Sequence, residues 1–340
     1  MQLMELSRDA IVALSGERLF VGEGRLLRVF HLSGATLEAA ITLPHSVSPA
    51  DRISVCNDQL VVYHPSGRFI SLDLSTCTVI STNSLRKLAA SDSITLFQPS
   101  PRDELFFFAV RSISALHCFH RGNISAPIDV ESKGSRTAEL TAMACHPVES
   151  VLFLARYGNI SAFRYASILK GIVSKEQASS GRAGEEAEGN VKAGPSKRRQ
   201  MSWICDALSQ SSSREIKLLV VNCEGTLLSA LVCLNNVDTV LVFDVSSVSA
   251  TQSISSVGSL ALKPGITPLR LLFHSAEPVL YTLVEESQSN VKRLSLQHHS
   301  LLFPDLVIFS ATRNSNSNNE TAALSGLRFQ FRVPCCGSPF

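Results

Sequence analysis

Histidines at turns are the residues of this chain whose type could do chemistry. His64-Pro65 and His146-Pro147 each place an imidazole beside a proline. An imidazole can act as a general base or bind a metal ion, but a metal site needs three or four converging ligands. Apart from Cys145, neither histidine has a Cys or His at ligand spacing. We therefore interpret both as turn histidines that hydrogen-bond the backbone.

Three further pairs have spacings that could hold a metal or a redox centre. His117/His120 and His298-His299 fall in strand-like segments, where both spacings direct the two rings to opposite faces and defeat chelation. Cys335-Cys336 are vicinal thiols in a Pro/Gly-containing tail, and we interpret them as exposed cysteines without a function. The sequence therefore predicts no metal site and no cofactor.

Phosphate-binding and nucleophile motifs are also missing. Gly22-Glu23-Gly24 begins like a dinucleotide loop, but the third glycine is absent and a strand follows instead of a helix. The sequence has no G-x-S-x-G, no P-loop and no H-E-x-x-H motif. We predict that the chain is not an enzyme and has no small-molecule substrate.

A short basic cluster, Lys197-Arg198-Arg199, is the remaining candidate site. It could contact anionic lipid, at about 1 kcal/mol per basic residue, or act as a nuclear import signal. The simpler interpretation is that these three charged residues lie on a solvated loop and have no function.

Composition excludes several classes of protein. Of 340 residues, 45% are hydrophobic and 18% charged, which is too apolar for a disordered chain or a collagen-like fibre. The net charge of +2 argues against a nucleic-acid partner. No apolar run reaches the roughly 18 residues of a membrane span. Charged residues interrupt the N-terminal segment, so we expect no secretory signal. Nine cysteines without a CxxC pair favour a reduced, intracellular protein.

The elements that must position these residues are short β-hairpins. Apolar runs flank polar turns near residues 24, 67, 112 and 158, at intervals of 43, 45 and 46 residues. The next turn, near 225, follows 67 residues later, of which the segment 174–202 accounts for 29. A period in the forties is typical of a four-stranded propeller blade, and the helical alternative lacks its i, i+3, i+4, i+7 pattern.

Apolar segments closed by a turn that contains Pro or His precede several hairpins and are typical of innermost strands. They are 96–101, 143–147 and 271–275. Proline stops strand pairing because it has no amide donor. We predict an all-β, seven-bladed propeller over residues 8–333, with residues 301–333 as a ragged and incomplete last blade.

Polar tracts interrupt or follow this pattern. We predict a disordered insertion at 174–202, a flexible polar loop at 312–321 and an unstructured tail at 334–340, because these segments have little apolar surface to bury.

Two stretches resemble WD-repeat blades. Leu140 to Tyr165 contains a Cys-His-Pro turn, and Gly225-Thr-Leu-Leu with the later Val-Phe-Asp-Val245 is similar to a "GTLLVWDV" blade ending. Their order over about residues 10–297 resembles the N-terminal propeller of a WD-repeat subunit of the TPLATE/TSET adaptor-like coat. No Trp-Asp or Gly-His dipeptide is present, and Ser229–Leu241 separates pieces that are contiguous in that family.

The resemblance implies a cytoplasmic, non-catalytic scaffold of endocytic vesicle coats. Its partners would be coat or adaptor subunits, with a peripheral contact to the plasma membrane or to clathrin-coated structures. Family members continue into a second propeller and an α-solenoid, so we expect this chain to be a truncated or spliced form. Two alternatives stay open: a WD-repeat interaction module of a nuclear or ubiquitin-linked complex, and a propeller enzyme with chemistry in its central channel.

Overall fold

The fold is seen in a computed structural model of the 340-residue chain. The structure describes residues 4–5, 10–15, 18–31, 36–48, 50–56, 59–85, 93–100, 105–110, 115–120, 123–124, 127–128, 139–156, 158–168, 201–208, 215–248, 254–264, 266–273, 279–288, 291–301 and 330–333.

Five four-stranded antiparallel sheets follow one another along the chain, each built from consecutive strands that we letter A to D from the centre outward. Blade 1 is β2 (Ile11–Ser15), β3 (Arg18–Glu23), β4 (Leu26–His31) and β5 (Thr36–Thr42). Blade 2 is β6 (Arg52–Cys56), β7 (Gln59–Tyr63), β8 (Arg68–Asp73) and β9 (Thr78–Ser84). Blade 3 is β10 (Ile94–Pro99), β11 (Leu105–Val110), β12 (Ala115–His120) and β13 (Asn123–Ile124). Blade 4 is β14 (Leu140–Cys145), β15 (Val151–Arg156), β16 (Asn159–Arg164) and β17 (Ser202–Leu208). Blade 5 is β18 (Glu215–Val221), β19 (Leu227–Leu234), β20 (Val237–Asp244) and β21 (Ser255–Ala261).

A five-stranded sheet, which we call the closing sheet, completes the ring. It contains β22 (Ile266–Phe273), β23 (Val279–Gln288), β24 (Val291–Ser300), β25 (Gln330–Val333) and β1 (Met4–Glu5). The segment β1 pairs in parallel with β25, so the two ends of the described chain meet in one sheet. The A strand of the closing sheet, β22, contacts the A strands of both blade 5 and blade 1.

Each contact between neighbouring sheets has its own apolar cluster. The blade 2–blade 3 cluster is aromatic: the ring of Phe69 lies 5.1 Å from that of Phe97, 5.4 Å from Phe106 and 5.2 Å from Phe119. Aromatic side chains bury large areas, so this packing contributes strongly to the attachment of blade 3. Successive side chains of a strand point to opposite faces of its sheet. Each blade therefore buries the side chains of one face against the preceding blade and those of the other face against the following blade.

The all-β propeller is confirmed, but the prediction of seven blades is wrong. The described residues form five four-stranded blades and the closing sheet. Two elements were misplaced, of which the second accounts for the wrong number of blades. The turn near 225 joins strands A and B of blade 5, whereas the turns near 24, 67, 112 and 158 join strands B and C. Residues 330–333 pair with β24 and do not begin a seventh blade.

Blade 5 also explains the interruption at Ser229–Leu241. These residues are most of β19 and β20 with the turn between them, where Asn235 and Asn236 both have positive φ (50° and 64°). Asparagine tolerates this left-handed conformation better than most residues, so a two-residue hairpin turn forms without glycine.

The predicted innermost strands are confirmed as β10, β14 and β22. Of the predicted insertion, residues 174–200 lie outside the described structure, whereas Met201 is buried and Ser202 begins β17. The predicted loop at 312–321 and tail at 334–340 also lie outside it. In the described part of the chain, no helix has the length and hydropathy needed to cross a bilayer.

Candidate interaction site

The strand order distributes the connections over two faces of the ring. Because neighbouring strands are antiparallel, the B–C turns and the D-to-A connections between blades lie on one face, which we call the B–C face. The A–B and C–D turns lie on the opposite face. Loops on a rigid propeller are free to vary and commonly carry binding residues.

The B–C face has a cleft of about 240 Å³ where blade 1 meets blade 2. One wall is the D-to-A connection, and the other is the B–C turn of blade 2 with the end of its D strand. The lining residues are mostly polar: His45, Ser46, Val47, Asp51, Val62, His64, Arg68, Phe69, Ile70, Thr82, Asn83 and Ser84.

Hydrogen bonds hold the connection that forms the first wall. The Arg25 guanidinium donates to the carbonyl groups of Leu43 and Pro44, both at 3.3 Å, and the Val47 amide donates to the Gly24 carbonyl at 2.6 Å. The Asp51 carboxylate accepts from the Ser48 amide at 2.5 Å and from the Ser48 hydroxyl at 2.9 Å. Bonds of this kind fix the loop that carries His45.

The cleft presents hydrogen-bond donors. The Nδ1 atom of His64 accepts from the Ser66 amide at 3.1 Å, which leaves the ring proton on Nε2. No hydrogen bond or ion pair joins the Arg68 or His45 side chain to another residue of the described structure. Asp51 is the one carboxylate among the described lining residues, and it is 6% exposed and bonded to Ser48.

A second group of donors lies at the central channel, beside the cleft. Arg52 begins β6 and pairs in register with Tyr63, while Arg270 lies on β22, the A strand of the closing sheet. Burial lowers the pKa of Arg270, the neighbouring Tyr63 raises it, and the charge of Arg52 lowers it further. The Arg270 guanidinium donates to the Leu269 carbonyl at 2.8 Å. The charges of two guanidinium groups therefore influence one another, and among the described residues no carboxylate acts on the pKa of Arg270.

Sequence reasoning missed this site. Its basic residues stand singly in strands and turns that otherwise look structural, so no local motif identifies them. The available indication was an arginine within each of two A strands, Arg52 and Arg270, since side chains of A strands can face the channel.

His146 has a structural role in the described molecule. Its Nδ1 atom accepts from the amides of Val148 at 3.1 Å and Glu149 at 2.9 Å, which confirms a turn histidine bonded to the backbone. The proton must then reside on Nε2, which donates to the Gly225 carbonyl at 2.9 Å. This bond joins the A–B turns of blades 4 and 5.

The other histidine pairs do not form a metal site in the described residues. His117 and His120 are both buried in β12, and the His117 ring stacks on Phe108 at 5.3 Å. His298 and His299 are adjacent in β24. Within the described ranges no group of three metal-ligating side chains comes together. The predicted lipid or import residues Lys197, Arg198 and Arg199, and the pair Cys335-Cys336, lie outside those ranges.

Comparisons with known proteins agree with this fold. No protein-family model and no curated protein matches the chain. Among solved structures, the Cps50 (Swd1) β-propeller domain of Myceliophteria thermophila is 11% identical, with 87% of this chain and 84% of that chain covered at a TM-score of 0.56. KlAtg21, in complex with the coiled coil of AgAtg16, is 12% identical over 83% and 81% at a TM-score of 0.49. A chain of the mitotic checkpoint complex is 12% identical over 80% and 72% at 0.48.

Identities this low carry information about the fold alone. The similarity to the Cps50 domain extends over most of both chains. In this chain, the aligned part includes most of the ring of sheets described above. The chain therefore has the WD40-like β-propeller fold.

Proposed function

We propose that this chain is a non-catalytic scaffold that binds other proteins through its B–C face. The observation that carries the proposal is the donor-lined cleft between blades 1 and 2, in which Arg68 and His45 have no partner among the described residues. Apolar clusters at every contact between neighbouring sheets support it, because they make the ring a stiff platform for the loops.

We further propose that the scaffold serves in a vesicle coat of endocytosis, as a subunit of the TPLATE/TSET type. The support is the resemblance of Leu140 to Tyr165, and of the pieces around Gly225 and Val245, to blades of such a subunit. The first piece forms strands A to C of blade 4, and the second lies in blade 5. The protein would then lie in the cytoplasm, at the plasma membrane or at clathrin-coated structures.

Affinity purification of the tagged full chain from its native cells, together with imaging, tests this proposal. We expect coat or adaptor subunits in the purified material and peripheral membrane puncta in the cell. Nuclear location with nuclear or ubiquitin-linked subunits would instead support the general WD-repeat module and overturn the coat assignment.

The basic cluster at Lys197, Arg198 and Arg199 is proposed to reinforce membrane contact. Each basic residue near an anionic surface contributes about 1 kcal/mol. Replacing all three with alanine should therefore weaken sedimentation of the full chain with phosphatidylserine-containing vesicles by about a hundredfold. Vesicles of phosphatidylcholine alone are the control. Equal binding by the variant and the unmodified chain would remove these residues from the membrane contact.

A further inference from the structure

We propose that the B–C face of blades 1 and 2 binds an acidic peptide segment of a partner protein, with one carboxylate side chain in the cleft at Arg68 and His64 and a second at the channel mouth at Arg52 and Arg270. The inference rests on the proposed scaffold function and adds the chemical class of its partner.

The cleft matches a single carboxylate side chain. A carboxylate is an acceptor only, so it needs donors around it, and the cleft supplies the Arg68 guanidinium and the Nε2–H of His64. Guanidinium groups bind carboxylates through two parallel hydrogen bonds. The Asp51 carboxylate also lines the cleft, but it is buried and accepts two hydrogen bonds from Ser48, and no ion pair joins it to Arg68 in the described structure, so the Arg68 guanidinium stays available to a ligand.

The channel mouth offers a second and separate anion site. Arg52 is exposed, and its guanidinium donates to the carbonyl groups of Ala50 at 3.2 Å and Asp51 at 2.9 Å. Arg270, half-buried in β22 of the closing sheet, donates to one carbonyl group and has three or more donor positions left. Two nearby cations repel one another, so an anion between them gains from both.

The two groups of donors lie on opposite sides of one strand pair. Val62 lines the cleft, whereas the next residue, Tyr63, is paired with Arg52 and stacks on Phe97 of blade 3. Successive side chains of a strand point to opposite faces. A ligand with one anionic group can occupy one site only, whereas an acidic peptide crossing the rim of blade 2 presents carboxylates to both. This arrangement favours a peptide over a lone phosphate or a lipid headgroup.

Fluorescence anisotropy of the purified full chain with a labelled decaglutamate peptide tests the proposal. We expect binding that weakens as salt is added, because exposed charges are screened. R68E should weaken the affinity by about tenfold or more, as losing one charge-assisted hydrogen bond does. R270M should also weaken it, and the R68E/R270M variant should lose more than either single variant.

The matched control is R164E. Arg164 is an exposed arginine at the opposite end of a C strand, on the opposite face, and its replacement makes the same change in charge. The affinity of the R164E variant for decaglutamate should equal that of the unmodified chain. A similar loss with R164E, or no binding of decaglutamate at millimolar concentration, would overturn the proposal. R68Q removes the charge of Arg68 without reversing it. Thermal unfolding of every variant shows whether a loss of binding comes from a loss of folding.

Two further outcomes distinguish a lipid ligand from a peptide ligand, and a failure of the coat assignment from a failure of the acidic-peptide site. If R68E weakens the binding of the chain to phosphatidylserine vesicles but leaves its binding to decaglutamate unchanged, the cleft is a lipid site and the peptide assignment is wrong. If decaglutamate binding depends on Arg68 and Arg270 while no coat subunit is purified from cells, the acidic-peptide site stands and the coat assignment fails.

Discussion

At the scale of residues, the contact between Gly225 and His146 shows how a turn glycine can be required by a neighbouring blade. Gly225 has φ of +75°, and a Cβ at this position would overlap the His146 imidazole. The same imidazole accepts hydrogen bonds from two amides and donates a hydrogen bond to the Gly225 carbonyl. The sequence predicts the turn at His146, but its partner is 79 residues away, beyond any local pattern.

Gly225→Ala should lower the free energy of unfolding by about 3 kcal/mol or more, because it adds overlap with a buried ring to the strain of a positive φ. Gly24→Ala is the matched control: φ is +55° and nothing lies within 4 Å of the added Cβ, so we expect a loss of about 1 kcal/mol. Urea unfolding measures both. Equal losses would contradict the contact with His146.

The burial of Cys205 leads to a prediction of how the free energy of unfolding changes with pH. Burial, with a smaller contribution from the charge of Asp206, raises the pKa of its thiol to about 11. Because this pKa is raised above the unfolded value, the protonated thiol stabilises the fold fully below the unfolded pKa. That contribution is lost as the pH rises toward about 11. The unfolding midpoint in urea should therefore fall more steeply above pH 9 in the unmodified chain than in Cys205→Ala. Parallel pH curves would contradict this account.

At the scale of elements, the B–C hairpins and the inner strands were accessible to sequence reasoning because their turn chemistry is local. Blade 5 was misassigned because the reasoning relied on glycine, and its B–C turn is built from Asn235 and Asn236. The D strand of blade 4, β17, was also unpredictable in its pairing, since residues 165–201 separate it from β16 in sequence.

A polar cluster holds β17 in blade 4. The Asp206 carboxylate accepts from the Ser161 hydroxyl at 2.6 Å and from the Trp203 indole at 3.1 Å. Ser161 is buried in β16, so its bond to Asp206 joins strands C and D, whereas the bond from Trp203 lies within β17. The chain lacks a Trp-Asp dipeptide, but its single tryptophan and an aspartate three residues later take part in the attachment of the outer strand.

Asp206→Ala should lower the free energy of unfolding by about 1–3 kcal/mol, because it leaves the buried Ser161 hydroxyl without its acceptor. The amides of β17 should also exchange with deuterium faster. Asp244→Ala is the control, since among the described residues the Asp244 side chain accepts hydrogen bonds from Ser246 alone, in an exposed turn, and its effect should stay near 0.5 kcal/mol. Unchanged exchange in β17 would show that the cluster does not hold the strand.

At the scale of the whole molecule, the contact between blade 1 and the closing sheet completes the ring. Among the side chains that the structure describes, its apolar cluster includes the buried residues Leu19, Val21, Leu272 and Leu283. Apolar burial at this contact holds the first and last sheets of the ring together. A periodicity argument predicts repeated sheets but not how many are needed to close, which depends on how each sheet packs on the next.

Ring closure can be measured directly by nuclear Overhauser effects between labelled methyl groups in the full chain. A ring of five blades and the closing sheet predicts cross-peaks that join Leu19 or Val21 of blade 1 to Leu272 or Leu283 of the closing sheet. A seventh sheet, or an open ring, would separate these side chains. Absence of those cross-peaks, in spectra that show the contacts of Leu60 with Leu72 within blade 2, would contradict the account.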